Sequence, residues 1–268
     1  MRRAGRRSSD TSKRRRSLNG LAAVINPFRR WFGGAHDDAQ WRAALDWAKT
    51  HGHRFARSRD GSGFVIEPAR VDAGWRLEWG EAQRHYMGGP ELRLRAELGN
   101  SGELKMLVIT RALMGRLEQE VFEDVTDGTQ TRMDDNTPEE MRWLVLFPKV
   151  PRAVLGVLRE RFAALSNLPR AAPLWLEGPL SQQLEASSAW LAEDQALVMT
   201  VQRGRISLRC AMAQPQLPAL QSALALFEVA RTAAQRVGEQ VASGAVDGGR
   251  PTVWGPPSAM PEADPPAR

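Results

Sequence analysis

Apolar and polar residues alternate in the first half of the chain, and this pattern predicts β-strands. In residues 75–79 tryptophan and leucine alternate with arginine and glutamate, and residues 91–98 show the same pattern. Residues 64–67 and 104–110 are two shorter stretches of β-prone sequence. Because short turns connect these stretches, we predict an antiparallel four-stranded meander with one face in contact with solvent.

Apolar residues recur every three or four positions in much of the remaining sequence, which predicts helices. The predicted helices cover residues 37–50, 112–124, 138–147, 151–165, 180–191 and 218–237. The third begins at the capping box Thr137-Pro138-Glu139-Glu140. Between the last two helices, residues 197–202 and 205–212 predict a β-hairpin around the turn Arg203-Gly204.

Together these elements predict a fold of the α+β class. The antiparallel four-stranded meander and the later β-hairpin pack with about five to six helices in one domain, which we expect to cover residues 36–242. Residues 1–35 are predicted to form a basic, mostly disordered arm. Residues 243–268 are predicted to form a disordered tail rich in proline and glycine, because neither segment can bury enough apolar surface to order itself.

The order of the elements resembles the secretion-chaperone-like class of folds in its topology. That order is a helix, antiparallel strands, a helix, a hairpin and a final helix. The run of four strands and the additional central helices depart from it, and no sequence motif is shared. The resemblance implies binding of another protein, although an analogy between folds does not by itself carry function.

Two kinds of residue on the predicted strands have both a structural and a functional interpretation. Trp75 and Trp79 lie on the same side of one strand, where they could stack on nucleotide bases or pack beneath helices. We expect a core position, because helices are available to cover the sheet. Cys210 alternates with apolar residues in the hairpin, and we predict a buried, unreactive thiol.

Charge is distributed unevenly along the chain. Residues 1–34 contain ten Lys or Arg and one acidic residue, whereas the remaining sequence contains 27 basic and 30 acidic residues. The net charge of +6 therefore combines an arm of +9 with a body of −3. Such an arm can contact phosphates of a nucleic acid or of an anionic membrane surface. The candidate contacts are Arg14, Arg15, Arg16, Arg29 and Arg30.

The sequence lacks the motifs of common nucleotide and metal sites. It contains no GxxxxGK[ST] or GxGxxG loop, no HExxH and no CxxC. Four histidines and one cysteine leave few groups for acid–base or metal chemistry. We therefore predict no catalytic residue, no cofactor and no metal site. The apolar runs are too short for a transmembrane segment, and the lone cysteine favours a cytoplasmic location.

Two short segments are candidates for binding. Arg84, His85 and the only tyrosine, Tyr86, lie in a predicted loop, and loops on rigid scaffolds often carry function. Trp254 is the only aromatic residue of the C-terminal tail and is a candidate docking motif. The alternative for both segments is solvated sequence without a binding role.

Three functions are compatible with this sequence. The favoured function is that of a non-catalytic cytoplasmic protein that binds another protein as an adaptor or chaperone-like module. The first alternative is an accessory protein for nucleic acid or anionic membranes that acts through residues 1–34. The second alternative is an enzyme of unrecognised class, which would use His85, Tyr86 and nearby carboxylates.

Overall fold

The strands of this chain pair into one antiparallel sheet. A computed structural model describes residues 34–70, 74–99, 103–126 and 138–246. The strands are β1 (His53–Arg57), β2 (Phe64–Pro68), β3 (Trp75–Gly80), β4 (Glu91–Glu97), β5 (Met106–Thr110), β6 (Phe162–Ser166), β7 (Leu197–Gln202) and β8 (Arg205–Ala211). Within the described ranges these eight strands lie in the order β1-β2-β3-β4-β8-β7-β5-β6.

Helices pack on both faces of this sheet. Those in the described ranges are α1 (Gly34–Thr50), α2 (Arg111–Thr126), α3 (Glu139–Leu146), α4 (Ala171–Leu176), α5 (Pro179–Ala186) and α6 (Leu217–Ala242). The α+β class predicted from the sequence is confirmed, with two strands more than predicted. In the same ranges we find no helix with the length and apolar character needed to cross a bilayer.

The β7–β8 hairpin lies in the middle of the sheet. Arg203 and Gly204 both have positive φ angles, of 50° and 69°, which is the conformation of a tight two-residue hairpin turn. β8 pairs with β4 and β7 pairs with β5, so the hairpin separates two strands that the sequence suggested as neighbours. The consecutive meander is instead β1 to β4. β1 was not predicted, because its sequence contains a single large apolar residue, Phe55.

The helix predicted over residues 151–165 is wrong. A 3₁₀ turn occupies Gly156–Glu160, and strand β6 follows it. Every residue of β6 is buried, so its sequence does not alternate between apolar and polar residues. Periodicity cannot distinguish such a short buried strand from part of a buried helix. Val154, which the predicted helix placed on its inner side, is 57% exposed.

One face of the sheet is apolar across its whole width. Helices α1, α4, α5 and α6 contribute to the hydrophobic cluster on this face. Trp75 and Trp79 are buried there, as predicted, and Trp79 Nε1 donates a hydrogen bond to the backbone oxygen of Met212 at 2.8 Å. Cys210 lies in the same cluster, and its burial raises the pKa of the thiol to about 12.

The opposite face is divided into two halves. On β5, β6 and β7 it carries apolar residues such as Leu107, Ile109 and Val198, against which α2 and α3 pack. On β2, β3, β4 and β8 the equivalent positions carry mainly arginine and glutamate, which line two solvent-accessible clefts. The fold therefore presents a charged surface beside a covered apolar one.

Candidate functional site

The charged half of the second face forms an elongated depression, which we call the arginine groove. Successive side chains of a strand point to opposite faces, so alternate residues of β3, β4 and β8 reach the same surface. The groove is lined by Arg54, Arg70, Arg76, Arg84, Arg93, Arg95, Arg205 and Arg209, together with Glu67, Glu78, Glu97 and Glu140.

Two clefts make up the arginine groove. The first has a volume of about 450 Å³ and reaches from Arg54 on β1 to Arg205 on β8. The second has a volume of about 200 Å³ and includes Glu140 of α3 among its lining residues. Arg95 and Arg205 line both clefts, so the two clefts meet at these side chains.

Positive charge is concentrated in the groove. Among the described residues, eight arginines and four glutamates line the two clefts. Even when Glu91, which is buried beneath them, is included, the arginines outnumber the carboxylates, in contrast to the net charge of −3 that the sequence carries beyond its N-terminal arm. Each guanidinium is a planar fork of donors that matches the geometry of a carboxylate or phosphate. The groove therefore presents donors whose geometry suits an anionic group.

The strand register places arginines directly opposite one another. Arg76 pairs with Arg95 across β3 and β4, and Arg93 pairs with Arg209 across β4 and β8. Like charges in such pairs destabilise a sheet, so carboxylates between the arginines are needed. Glu78 accepts hydrogen bonds from Arg76 and, at 3.2 Å, from Arg93.

Glu78 neutralises its neighbours unequally. Burial acts to raise the pKa of Glu78, but the hydrogen bonds and positive charges of Arg76 and Arg93 outweigh it and lower the pKa. The ionised carboxylate is thus engaged by these two arginines. Arg95 reaches Glu78 only at 3.6 Å, and 54% of its side chain is exposed. The guanidinium of Arg95 is consequently more available to a ligand than those of Arg76 and Arg93.

Glu91 fixes the arginines on the floor of the groove. Its side chain is fully buried, and Oε1 accepts hydrogen bonds from Arg93 at 2.9 Å and from Arg209 at 2.8 Å. The backbone N–H of Gln83 donates to the same oxygen at 2.9 Å. Glu91 Oε2 is buried without a hydrogen-bond partner among the described residues. Burial of a carboxylate needs such compensation, so Glu91 depends on both arginines for its place in the sheet.

The predicted binding residues Arg84, His85 and Tyr86 have different surroundings. Arg84 lines the second cleft, and its Nε donates to Glu140 Oε1 at 2.8 Å. Tyr86 is buried, and its hydroxyl donates to the same oxygen. Burial and the Glu140 carboxylate raise the pKa of Tyr86. His85 is more than half exposed and contacts Glu120 on α2 at 2.9 Å. Only Arg84 lines the groove, and the binding role of all three residues remains a prediction.

The other predicted contacts lie outside the described residues. These are Trp254 in the C-terminal tail and Arg14, Arg15, Arg16, Arg29 and Arg30 in the N-terminal arm. Their proposed roles in docking and in phosphate binding therefore also stay predictions.

Sequence reasoning missed most of the groove, although a signal was present. The alternation of Arg93 and Arg95 with leucine indicated that β4 has a solvated face. What periodicity does not show is that β8, more than 100 residues later in the chain, pairs with β4 and completes the surface. Glu140 was interpreted only as part of a capping box, whereas its carboxylate accepts hydrogen bonds from Arg84 and Tyr86.

Comparison with known proteins adds one likeness of fold. No family model matches the sequence, and no curated protein matches it. The structure is similar to the crystal structure of the mycobacterial trehalose monomycolate transport factor A, TtfA, with a TM-score of 0.42 and 10% sequence identity. The alignment covers 73% of this chain and 94% of that chain. At this level the likeness says nothing about what this chain binds.

Proposed function

We propose that this protein is a non-catalytic binding module that takes an acidic segment of another protein in the arginine groove. The observation that carries this proposal is that arginines outnumber carboxylates along the groove of a body with a net charge of −3. Complementary charge speeds the encounter of two partners and orients them. Because the chain has a single cysteine, Cys210, which is buried, we expect this encounter in the reducing cytoplasm.

The pattern of charges favours a peptide over a nucleic acid. Glu67, Glu78 and Glu97 interrupt the arginines, so the continuous phosphates of a nucleic acid would lie against negative charges. Discrete carboxylates separated by neutral residues avoid these positions. Nucleic acids also gain affinity by stacking bases on aromatic side chains, but Trp75 and Trp79 are buried in the core of the opposite face.

The polar groups of the groove support binding more than catalysis. The hydroxyls of Thr200 and Ser207 in the second cleft hydrogen-bond to each other at 2.7 Å. A nucleophilic hydroxyl needs a base within hydrogen-bond reach, yet among the described residues no histidine lines either cleft. The Glu78 carboxylate, which lines the same cleft, is engaged by arginines.

A binding experiment with an acidic peptide tests this function. The probe is a fluorescein-labelled peptide of ten Glu-Ser repeats, whose carboxylates are separated by neutral residues, and its anisotropy is followed on titration with the full chain. We expect the double variant Arg95→Ser/Arg205→Ser to bind at least about tenfold more weakly, because charge-assisted hydrogen bonds are lost. The matched control Arg152→Ser/Arg159→Ser removes two exposed arginines that pair with Glu160 outside the groove. It should bind within about twofold of the natural protein.

The basic arm must be separated from the groove, because it also attracts glutamate. A third variant changes Arg14, Arg15 and Arg16 to serine. If this variant loses the peptide while the groove variant retains it, the arm is the binding site and our proposal is wrong. A labelled deoxythymidine decamer provides a second comparison. Tighter binding of the decamer than of the peptide through Arg95 and Arg205 would also overturn the proposal, since the groove would then recognise nucleic acid.

A further inference from the structure

The two outer edges of the sheet differ in whether backbone from the same chain pairs with them. At one edge, Lys149 forms a bridge with Leu165 of β6, and the backbone N–H of Val150 donates to Ala164 O at 2.8 Å. The chain thus closes this edge with its own backbone. At the other edge, β1 pairs with β2 on its inner side, and no strand among the described residues pairs with its outer side. An unpaired edge is a template on which another strand can add.

The backbone of β1 has donors and acceptors on that outer side. Residues with even numbers make the hydrogen bonds to the β2 side of the sheet: Gly52 with Ala69, and Ser58 with Gly63. In an antiparallel pair, residues that bond to the neighbouring strand alternate with residues that do not. His53 and Phe55 therefore direct their backbone N–H and C=O groups away from β2, towards the open edge.

The side chains of β1 have different chemistry on the two faces. Arg54 lies on the groove side, lines the outer end of the first cleft and is 69% exposed. Phe55 lies on the apolar side, where its ring stacks on Phe64 with centroids 5.2 Å apart. A strand added at this edge would place alternate side chains beside Arg54 and beside Phe55. Acidic residues suit the first set, and apolar residues suit the second.

We propose that the partner segment adds to the sheet at β1 as an extended strand of alternating acidic and apolar residues. Its acidic side chains lie beside Arg54, where the groove begins, and its apolar side chains lie beside Phe55. This inference rests on the proposed function, because the groove supplies the preference for acidic residues. In strand addition, backbone hydrogen bonds supply affinity and the alternate side chains supply specificity.

N-methylated peptides test this inference without altering the fold of the protein. The probe is a labelled peptide of four Glu-Val repeats, titrated against the full chain by fluorescence anisotropy. One derivative carries methyl groups on all valine nitrogens, and the other carries them on all glutamate nitrogens. Successive N–H groups of a strand point to opposite edges, so only one derivative loses the hydrogen bonds to β1. We expect that derivative to bind at least about tenfold more weakly and the other to bind within about threefold.

Two further binding measurements test whether the β1 edge and the groove act on the same peptide. A peptide of the same composition, with four glutamates followed by four valines, should bind more weakly because it cannot satisfy both faces at once. Arg54→Ser should weaken binding of the alternating peptide, while the exposed control Arg159→Ser should not. If both methylated derivatives bind as tightly as the parent peptide, strand addition is overturned. In that case, a loss on Arg95→Ser/Arg205→Ser would still show binding in the groove. If that variant has no effect either, the proposed function fails as well.

Discussion

A single row of residues crosses the sheet from the arginine groove to the half covered by helices. Its two ends differ in charge and in exposure to solvent. The register aligns Arg95 with Ser207, Ser207 with Thr200, and Thr200 with Leu107. Arg95 has 54% of its side chain exposed, whereas Leu107 has no exposed surface. Between these ends, the hydroxyls of Thr200 and Ser207 satisfy each other. The surface therefore changes from charged to apolar within four strands.

The two halves of this sheet face are therefore held together by different interactions. The half under α2 and α3 gains stability by removing apolar side chains from water. The rim of the open half is held by ion pairs between partly exposed side chains, and such pairs contribute about 0–1 kcal/mol each. Stability alone does not account for a surface with more arginines than carboxylates. Under the proposed function, recognition of an anionic partner does.

Truncation of the side chains at the two ends of the row measures how much each end contributes to stability. We expect Leu107→Ala to lower the free energy of unfolding by about 2–5 kcal/mol, because it removes buried methyl groups and leaves a cavity. Arg95→Ala should change it by no more than about 0.5 kcal/mol, because the side chain is exposed and weakly paired. Urea denaturation followed by tryptophan fluorescence measures both values. Equal losses would mean that the open half is a structural element like the covered one.

A second pair of variants separates the floor of the groove from its rim. We expect Glu91→Gln to lower the free energy of unfolding by about 1–3 kcal/mol, because Arg209 loses its carboxylate partner on the floor of the groove and Arg93 keeps only Glu78. Glu97→Gln removes the same charge from a pair with Arg205 in which both side chains are more than half exposed. Its effect should stay below about 1 kcal/mol. If circular dichroism during urea denaturation gives the reverse order, Glu91 does not hold the floor.

How much of the fold could be predicted depended on whether an element has one wet face. β3, β4 and β8 each have one apolar and one charged face, so their alternation revealed both the strand and its orientation. β6 is buried on both faces, and its sequence Phe162–Ser166 carries no alternation from which a strand could be recognised. An alternating sequence pattern therefore identifies a strand only when one of its faces is exposed to solvent.

The candidate site was less accessible, because long-range pairing assembles it. Of the described residues that were singled out for binding, Arg84 alone lines the groove, and it was chosen for its place in a loop. Arg93 and Arg209 are 116 positions apart in the sequence, and neither looks unusual by itself. Only the pairing of β4 with β8 brings them to one carboxylate, Glu91. The residues around these positions contain no local signal for that pairing.

Tyr86 and His85 are neighbours in the chain, but the Tyr86 side chain is buried and the His85 side chain is exposed. We expect Tyr86→Phe to lower the free energy of unfolding by about 1 kcal/mol, because the buried Glu140 carboxylate loses one donor while Arg84 remains. His85→Ala removes an exposed contact with Glu120 and should cost less than about 0.5 kcal/mol. Thermal denaturation of the two variants in parallel measures the difference. A larger loss for His85→Ala would show that the exposed contact, rather than the buried one, holds this turn.

Two adjacent residues of β1 lie on opposite faces of the sheet, and we expect the smallest effect on stability from these. His53 faces the apolar side, 5.1 Å from the Trp75 ring, while Arg54 faces the groove. Burial, and secondly the charge of His51, lower the pKa of His53 below its ordinary 6.5. Below pH 6.5 the unfolded chain therefore binds more protons, so the contribution of His53 to stability is complete above pH 6.5 and is lost as the pH falls towards its folded pKa. One group changes stability by at most about 1.4 kcal/mol per pH unit.

His53→Gln should accordingly flatten the dependence of the free energy of unfolding on pH between 5 and 7.5, measured by urea denaturation at several pH values. Arg54→Gln is the matched control on the other face, and it should leave the slope unchanged because arginine stays charged throughout this range. Parallel curves for His53→Gln and the natural protein would mean that the apolar face does not extend its desolvating environment to the β1 edge.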